Sequence, residues 1–154
     1  MTHAIPVVTF ELATDTDFEQ LAAIRVDAMR ESLERIGRFD PARARERLRN
    51  GFQPEYARHI LADGARVGFF VLKEAPDALL LEHLYLTPAT QGRGVGSTVL
   101  QHICCEADAR ELQIRLGALR DSAANQFYLR HGFAQTGEDA WDIYYARQPQ
   151  RTAT

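Results

Sequence analysis

Three glycines fall within five residues in Gln91-Gly92-Arg93-Gly94-Val95-Gly96-Ser97, between a strongly apolar run and a stretch of helical periodicity. Nothing else in the chain restricts its fold so much. Glycine enters positive φ at little steric cost, so the backbone can turn sharply here and come close to a ligand. The first-turn N–H groups of a helix beginning after the loop have no partners inside that helix. They point into the loop, and the helix dipole favours an anion there. A pyrophosphate fits such a nest; a tight turn without a ligand is the alternative. No Lys-Ser/Thr pair follows the last glycine, so the segment is not a P-loop. Its spacing is Gly-x-Gly-x-Gly and it lies mid-chain without an opening βαβ unit, which disfavours a dinucleotide fold.

The elements around the loop follow from periodicity. Val7 to Leu12 is rich in β-branched residues and reads as a strand. Thr14 to Asp17 offers N-caps for a helix patterned by Phe18, Leu21, Ile24 and Ala28, which Gly37 ends. Asp40-Pro41 starts a short helix carrying Arg43, Arg45, Arg47 and Arg49. Tyr56–Ala62 and Arg66–Lys73 form a hairpin about the Asp63-Gly64 turn, and Pro76-Asp77 marks the next turn. Leu79–Leu86 is apolar enough for a central strand. After the glycine loop, Val95, Val99, Ile103 and Ala107 recur at spacing four, the stripe of an amphipathic helix. Leu112–Leu119 is a strand and Asp121–His131 a helix closed by Gly132. Phe133–Thr136 and Trp141–Arg147 are the last strands, and Gln148–Thr154 reads as a flexible tail. The order β-α-α-β-β-β-α-β-α-β-β predicts a mixed α/β (α+β) domain over residues 1–147, with helices on the faces of a mixed sheet.

Composition narrows the function classes. A length of 154 residues suits one domain, and 45% apolar with 25% charged residues suits a soluble globular protein. The net charge of −3 argues against non-specific nucleic-acid binding. No apolar run reaches the roughly 20 residues needed to span a bilayer, so no membrane partner is expected. Met1-Thr2-His3-Ala4 has no signal-peptide character. Cys104 and Cys105 are adjacent, and on a helix they point about 100° apart. Neither a disulfide nor a metal site is expected of them, which fits a reducing cytoplasm.

The loop and its surroundings resemble the GNAT superfamily of N-acetyltransferases. Gln91-x-x-Gly94-x-Gly96 matches the signature Q/R-x-x-G-x-G/A, and Leu84-Tyr85-Leu86-Thr87-Pro88 matches the strand that precedes it. Downstream, Ala124-Asn125-Gln126-Phe127-Tyr128 through Gly132-Phe133 is similar to a second signature, A-x-x-F/L-Y-x-x-x-G-F. The element order also fits over nearly the whole chain. The resemblance implies a mixed, mostly antiparallel twisted sheet with helices on both faces, splayed between its fourth and fifth strands. It implies acetyl-CoA as co-substrate, with no metal. The backbone of Leu84, Tyr85 and Leu86 would pair with pantetheine, and an N–H near Leu86 would stabilise the developing oxyanion. The amides of Gly92, Arg93, Gly94, Val95, Gly96 and Ser97 would hold the pyrophosphate.

Tyr128 takes the position of the general acid in this resemblance; a buried core tyrosine is the alternative. The leaving thiolate has a pKa near ~8.5 and a phenol near ~10, so a phenol beside the sulfur can share its proton. Many relatives have Asn where this chain has Asp121, and a carboxylate donates no hydrogen bond. Asp121 could instead cap its helix, with Asn125, four residues on, contributing to the cofactor site. A protonated amine cannot attack, so a base is needed. Glu82 lies in an otherwise apolar strand, where burial would raise its pKa. A structural salt bridge is its other reading, and His83 or water is the alternative base. Alternation puts Glu82, Leu84 and Leu86 on one face and His83 and Tyr85 on the other.

By the same resemblance, Met29 to Tyr56 borders the acceptor, with Glu31, Glu34, Arg35 and Arg38 in that stretch. Trp141, Tyr144 and Tyr145 line the same site or pack as core. The expected reaction is direct attack of a small-molecule or peptide amine on the thioester in a ternary complex. A non-catalytic acyl-CoA-binding domain of the same fold is the rival, and a homodimer is left open.

Overall fold

The computed structural model describes residues 6–151. Its elements are β1 (Val8–Leu12), α1 (Phe18–Arg35), α2 (Pro41–Arg49), β2 (Ala57–Ala62), β3 (Ala65–Ala75), β4 (Ala78–Leu86), α3 (Val95–Ala109), β5 (Gln113–Leu119), α4 (Ala123–Arg130), β6 (Ala134–Glu138) and β7 (Asp142–Arg147). Hydrogen-bonded neighbours give the strand order β1-β2-β3-β4-β5-β7-β6. The ladders β1–β2, β2–β3, β5–β7 and β6–β7 are antiparallel, and β4–β5 is parallel. The mixed, mostly antiparallel sheet implied by the resemblance is therefore present. Two compact units divide the chain: residues up to Val71 with His83–Val99, and Leu72–Glu82 with Leu100 onward. β3, β4 and α3 contribute residues to both.

In the first unit, Thr14 donates from its N–H and its hydroxyl to Asp17, closing the chain into α1. The helix stops at Gly37, whose φ is +70°. Arg38 N–H reaches the Leu33 carbonyl at 2.8 Å and Gly37 N–H that of Glu34 at 3.0 Å, the two bonds of a Schellman ending. Asp40 caps α2 by accepting from Arg43 N–H, with Pro41 in the first turn. The Asp63-Gly64 turn has positive φ at both residues, as a two-residue hairpin requires. Phe18, Leu21, Ala22 and Ile24 of α1 pack with Leu48, Ala57, Phe69 and Val71, and Tyr85 lies against this cluster.

The second unit has its own buried set, including Leu79, Leu81, Ile103, Ile114, Leu116, Phe133 and Tyr145. Arg147, 7% exposed, is held by both oxygens of Asp108 at 2.8 and 3.1 Å. The same carboxylate accepts from Gln150 N–H, and Gln148 bonds to Gln113, so part of the expected tail is tied down. The end of that tail, residues 152–154, lies outside the described residues.

The stripe Val95, Val99, Ile103 and Ala107 is fully buried along α3, so the spacing-four pattern located the inner face of that helix. Cys104 and Cys105 on α3 are both free thiols. Among the described residues, no helix is long and apolar enough to cross a membrane.

Candidate active site

The strand that leads into the glycine loop is anchored at its end. Thr87 N–H donates to the Val67 carbonyl at 2.8 Å, and the hydroxyls of Thr87 and Thr90 bond at 2.8 Å. Pro88–Thr90 makes one 3-10 turn. Gln91 then turns back: its side-chain amide donates to the Leu86 carbonyl at 3.1 Å, fastening the start of the loop to the end of β4. Gly92 and Gly94 have φ of +78° and +82°, and a Cβ at either would meet nothing within 4 Å. The backbone conformation, not crowding, requires glycine there. Gly94 carbonyl accepts from Thr98 N–H at 3.1 Å and from the Thr98 hydroxyl, so it opens α3. Val95 is buried, Gly96 and Ser97 are partly exposed, and Arg93 is exposed.

The β4 ladder sets Leu84–Leu86 apart from the rest of the strand. Parallel pairing with β5 runs from Ala78↔Gln113 to Leu81↔Leu116. β4 continues five residues past that register, to Leu86. This agrees with the expected splay of strands four and five. Across the preceding hairpin, pairing passes from Ile60↔Gly68 to Leu61↔Arg66, which leaves Val67 as an extra residue on β3. Beside this bulge, a Cβ on Gly68 would lie 2.2 Å from the Tyr85 carbonyl oxygen. Sequence reasoning passed over Gly68, although a glycine inside a strand is a signal of close backbone approach.

His83 and Tyr85 share a face of β4, as alternation predicts. Their rings lie 5.7 Å apart, and Phe69 packs against both, at 6.4 and 5.7 Å. His83 Nδ1 is 3.5 Å from the Tyr85 hydroxyl. Arg25 of α1 sets its guanidinium 5.6 Å from the centre of the Tyr85 ring.

Glu82 differs from expectation. It is exposed, not buried, and its carboxylate pairs with Lys73 Nζ at 3.2 Å. The apolar run suggested a strand buried on both faces. Leu79 and Leu81 do sit deep in the core, but Leu80 and Glu82 occupy the more open face. The salt-bridge reading is the one the structure displays.

Tyr128 is 7% exposed, in a nest formed by Phe127, Phe133 and Tyr145 with ring centres 5.3, 5.5 and 6.4 Å away. The Gly132-Phe133 part of the motif has a local cause. Gly132 takes φ +87°, and Phe133 N–H reaches back to the Tyr128 carbonyl at 3.1 Å. This is again a Schellman ending, whose characteristic apolar contact is here Tyr128 with Phe133. The motif thus fixes the tyrosine at the last turn of α4.

Asn125 is buried and occupied. Its amide donates to the carbonyls of Leu119 and Ser122 at 2.9 and 3.0 Å, and its oxygen accepts from the Tyr145 hydroxyl at 2.7 Å. It secures the start of α4. Asp121 does not cap that helix; Ser122 holds the cap position, and Asp121 sits at φ +67° just before it. A short polar side chain tolerates that left-handed conformation better than most, which accounts for an aspartate there. Trp141 and Tyr144 are exposed, with the Tyr144 hydroxyl on Asp139, while Tyr145 packs as core. Glu31 and Glu34 form exposed i,i+4 pairs with Arg35 and Arg30, the arrangement of a solvated helix face.

A family model described as an acetyltransferase (GNAT) domain matches residues 55–135, more than half of the chain. The chain belongs to the GNAT family. Solved GNAT structures share its fold. The PaiA N-acetyltransferase of Thermoplasma acidophilum, in complex with coenzyme A, gives a TM-score of 0.75 at 18% identity, over 92% of this chain and 99% of that one. The ribosomal-protein-S18-alanine N-acetyltransferase of Escherichia coli gives 0.71 at 17%, over 96% and 97%. N-acetylglutamate synthase of Neisseria gonorrhoeae, complexed with coenzyme A and N-acetyl-glutamate, gives 0.66 at 20%, over 97% of this chain and 36% of that longer one. No curated protein matches the sequence. Among the described residues, no three His, Cys, Asp or Glu side chains group as metal ligands.

Proposed function

We propose that this GNAT chain transfers the acetyl group of acetyl-CoA directly to an amine. The observation that carries the reading is the Gln91–Ser97 turn. Two positive-φ glycines open onto unfilled space at the start of α3, and the loop is pinned to β4 through Gln91. Such a turn directs successive amides at one anion, and the helix dipole adds to its attraction. Gly92, Arg93, Gly94, Val95, Gly96 and Ser97 would bind the pyrophosphate. Leu84, Tyr85 and Leu86, beyond the end of the β4–β5 ladder, would offer backbone groups to the pantetheine arm. An amide donor there would stabilise charge on the thioester oxygen as it develops.

Acetyl-CoA supplies an activated thioester; the chain's own groups must bind it, orient it and move protons. Tyr128 would protonate the leaving sulfur, since a phenol near pKa ~10 can pass its proton to a thiolate near ~8.5. For the base we favour His83 over Glu82, whose carboxylate is engaged by Lys73. Asn125 would serve by holding α4, and through it Tyr128, in place. Cys104 is a poor covalent nucleophile, because burial pushes its thiol pKa up. Direct attack in a ternary complex is thus favoured over an acetyl-enzyme, and initial-rate plots should intersect.

Calorimetry with coenzyme A tests the reading. Gly94→Asp adds a carboxylate to the anion nest and forces φ +82° on a residue that resists it. Affinity should fall by more than tenfold, about 1.4 kcal/mol. Equal affinities in wild type and folded variant would refute the site.

A further inference from the structure

We infer that Arg25 binds a carboxylate of the acceptor, so that the substrates are amines that also carry a carboxylate. The inference rests on the acetyltransferase reading and gives its acceptor site a chemical class.

Among the described residues, two arginines are almost completely buried, Arg25 at 5% and Arg147 at 7% exposure. They are treated differently. Arg147 has a bidentate carboxylate partner in Asp108. Arg25 has no carboxylate partner among the described residues. Its Nη1 donates to the Ala44 carbonyl of α2 at 2.8 Å. Its Nε is buried with no hydrogen-bond partner. A guanidinium does not lose its proton in a protein, so the charge stays. A buried charge without a counterion is costly, and removing it from water is offset only when a partner satisfies its donors. The edge formed by Nε and Nη2 is the one that takes a carboxylate side-on, with two parallel hydrogen bonds. The contact to Ala44 holds the guanidinium with that edge uncommitted.

The position of Arg25 suits an acceptor subsite. Its guanidinium lies over Tyr85, in the β4 segment that the proposed function assigns to the thioester arm. Tyr85 is next to His83, the favoured base, with the hydroxyl 3.5 Å from Nδ1. A carboxylate seated on Arg25 would therefore place an attached amine close to both. Tyr85 is only half-buried, so the side of the ring away from the core is open to an incoming acceptor. The recognised group is a carboxylate, whether the α-carboxylate of a free amino acid or an acidic side chain in a peptide.

The test uses the full chain, acetyl-CoA and a thiol-release assay. Acceptors are the L-amino acids, their carboxamides, and dipeptide amides containing aspartate or glutamate. Carboxylate acceptors should exceed their carboxamide counterparts at least tenfold in kcat/KM. Preference among free amino acids identifies an α-carboxylate; preference among acidic dipeptide amides identifies a side chain. Arg25→Met should bring the ratio near one, by raising KM for the carboxylate arm, while calorimetric affinity for coenzyme A is retained. Arg25→Lys keeps the charge but loses the planar fork, so it should also reduce the preference, and it serves if the Met variant does not fold. Three results would overturn the inference while coenzyme A still binds: carboxamides turned over equally well, preference surviving in a folded variant, or no carboxylate acceptor turned over at all. Failure to bind coenzyme A overturns the acetyltransferase reading and this inference with it.

Discussion

Gly68→Ala is the smallest change that should disturb the proposed thioester strand. The added Cβ would stand 2.2 Å from the Tyr85 carbonyl oxygen, 2.8 Å from Leu86 Cδ2 and 3.1 Å from Leu86 Cα. Real Cβ contacts stay above 3.0 Å, so the backbone of β3 or β4 must yield by about 0.8 Å. The obstructing oxygen belongs to main chain fastened near the bulge by Thr87 N–H on Val67, and cannot swing away like a side chain. Overpacking of this kind costs ~1–3 kcal/mol. In a chain of this size that lowers Tm by roughly 2–4 °C for each kcal/mol. The larger effect should be on rate. Displacement of a reacting group by about 1 Å can cost ~10²-fold, so kcat should fall by at least tenfold. Affinity for coenzyme A should change less, because the Gln91–Ser97 amides lie downstream of the displaced backbone. Thermal melting, calorimetry and thiol-release kinetics on one preparation separate these effects. Gly117→Ala is the matched control: its Cβ would meet only ring carbons of Tyr144 at 3.1 Å, and that exposed ring can shift. A Gly68→Ala protein with wild-type Tm and kcat would show that the strand backbone is not positioned as argued.

Tyr128→Phe retains the packing with Phe127, Phe133 and Tyr145 and removes the hydroxyl, so kcat should drop by roughly 10² with coenzyme A affinity intact; unchanged turnover would leave Tyr128 as core alone. His83→Gln should shift or flatten the rising limb of the pH–rate profile, whereas Glu82→Gln should leave it in place; the reverse outcome would return the role of base to Glu82. Asp17 is held to a pKa of about 2, first by the hydrogen bond from His59 and then by Thr14 N–H. Its depressed pKa means that this stabilisation is complete above the ordinary carboxylate value and drains away as pH falls from about 4 through about 2, a contribution of about 2 kcal/mol. Asp17→Asn should remove it at neutral pH and flatten the acid limb of a stability-versus-pH curve; an acid limb identical to wild type would contradict the assignment.

What could be read from the sequence was whatever depends on neighbours along the chain. Helix ends at Gly37 and Gly132, the cap at Asp40, the turn at Asp63-Gly64 and the stripe from Val95 to Ala107 each follow from local backbone rules, and all are where those rules put them. Glu82 is exposed where the sequence suggests burial, because an apolar run cannot reveal which face of a strand is covered, nor that Lys73 stands opposite. The cap of α4 falls at Ser122, one residue after Asp121, a shift common at helix boundaries.

Gly68 and Arg25 show a different limit. Each matters through partners distant in sequence: Tyr85 for Gly68, and Ala44 together with Tyr85 for Arg25. In the sequence Arg25 is one charge among several on an amphipathic helix, and its burial becomes visible only when α2 covers it. Both meet at Tyr85, whose backbone oxygen limits what can occupy position 68 and whose ring shelters the guanidinium. A change at Tyr85 should therefore be felt in strand geometry and in acceptor choice separately. Tyr85→Phe leaves the backbone and the ring in place, so it should preserve Tm and the carboxylate preference. Tyr85→Ala removes the ring, exposes Arg25 to water and should weaken that preference even where the strand remains intact. Equal discrimination in the two variants would mean that the ring plays no part in holding the cation at the acceptor.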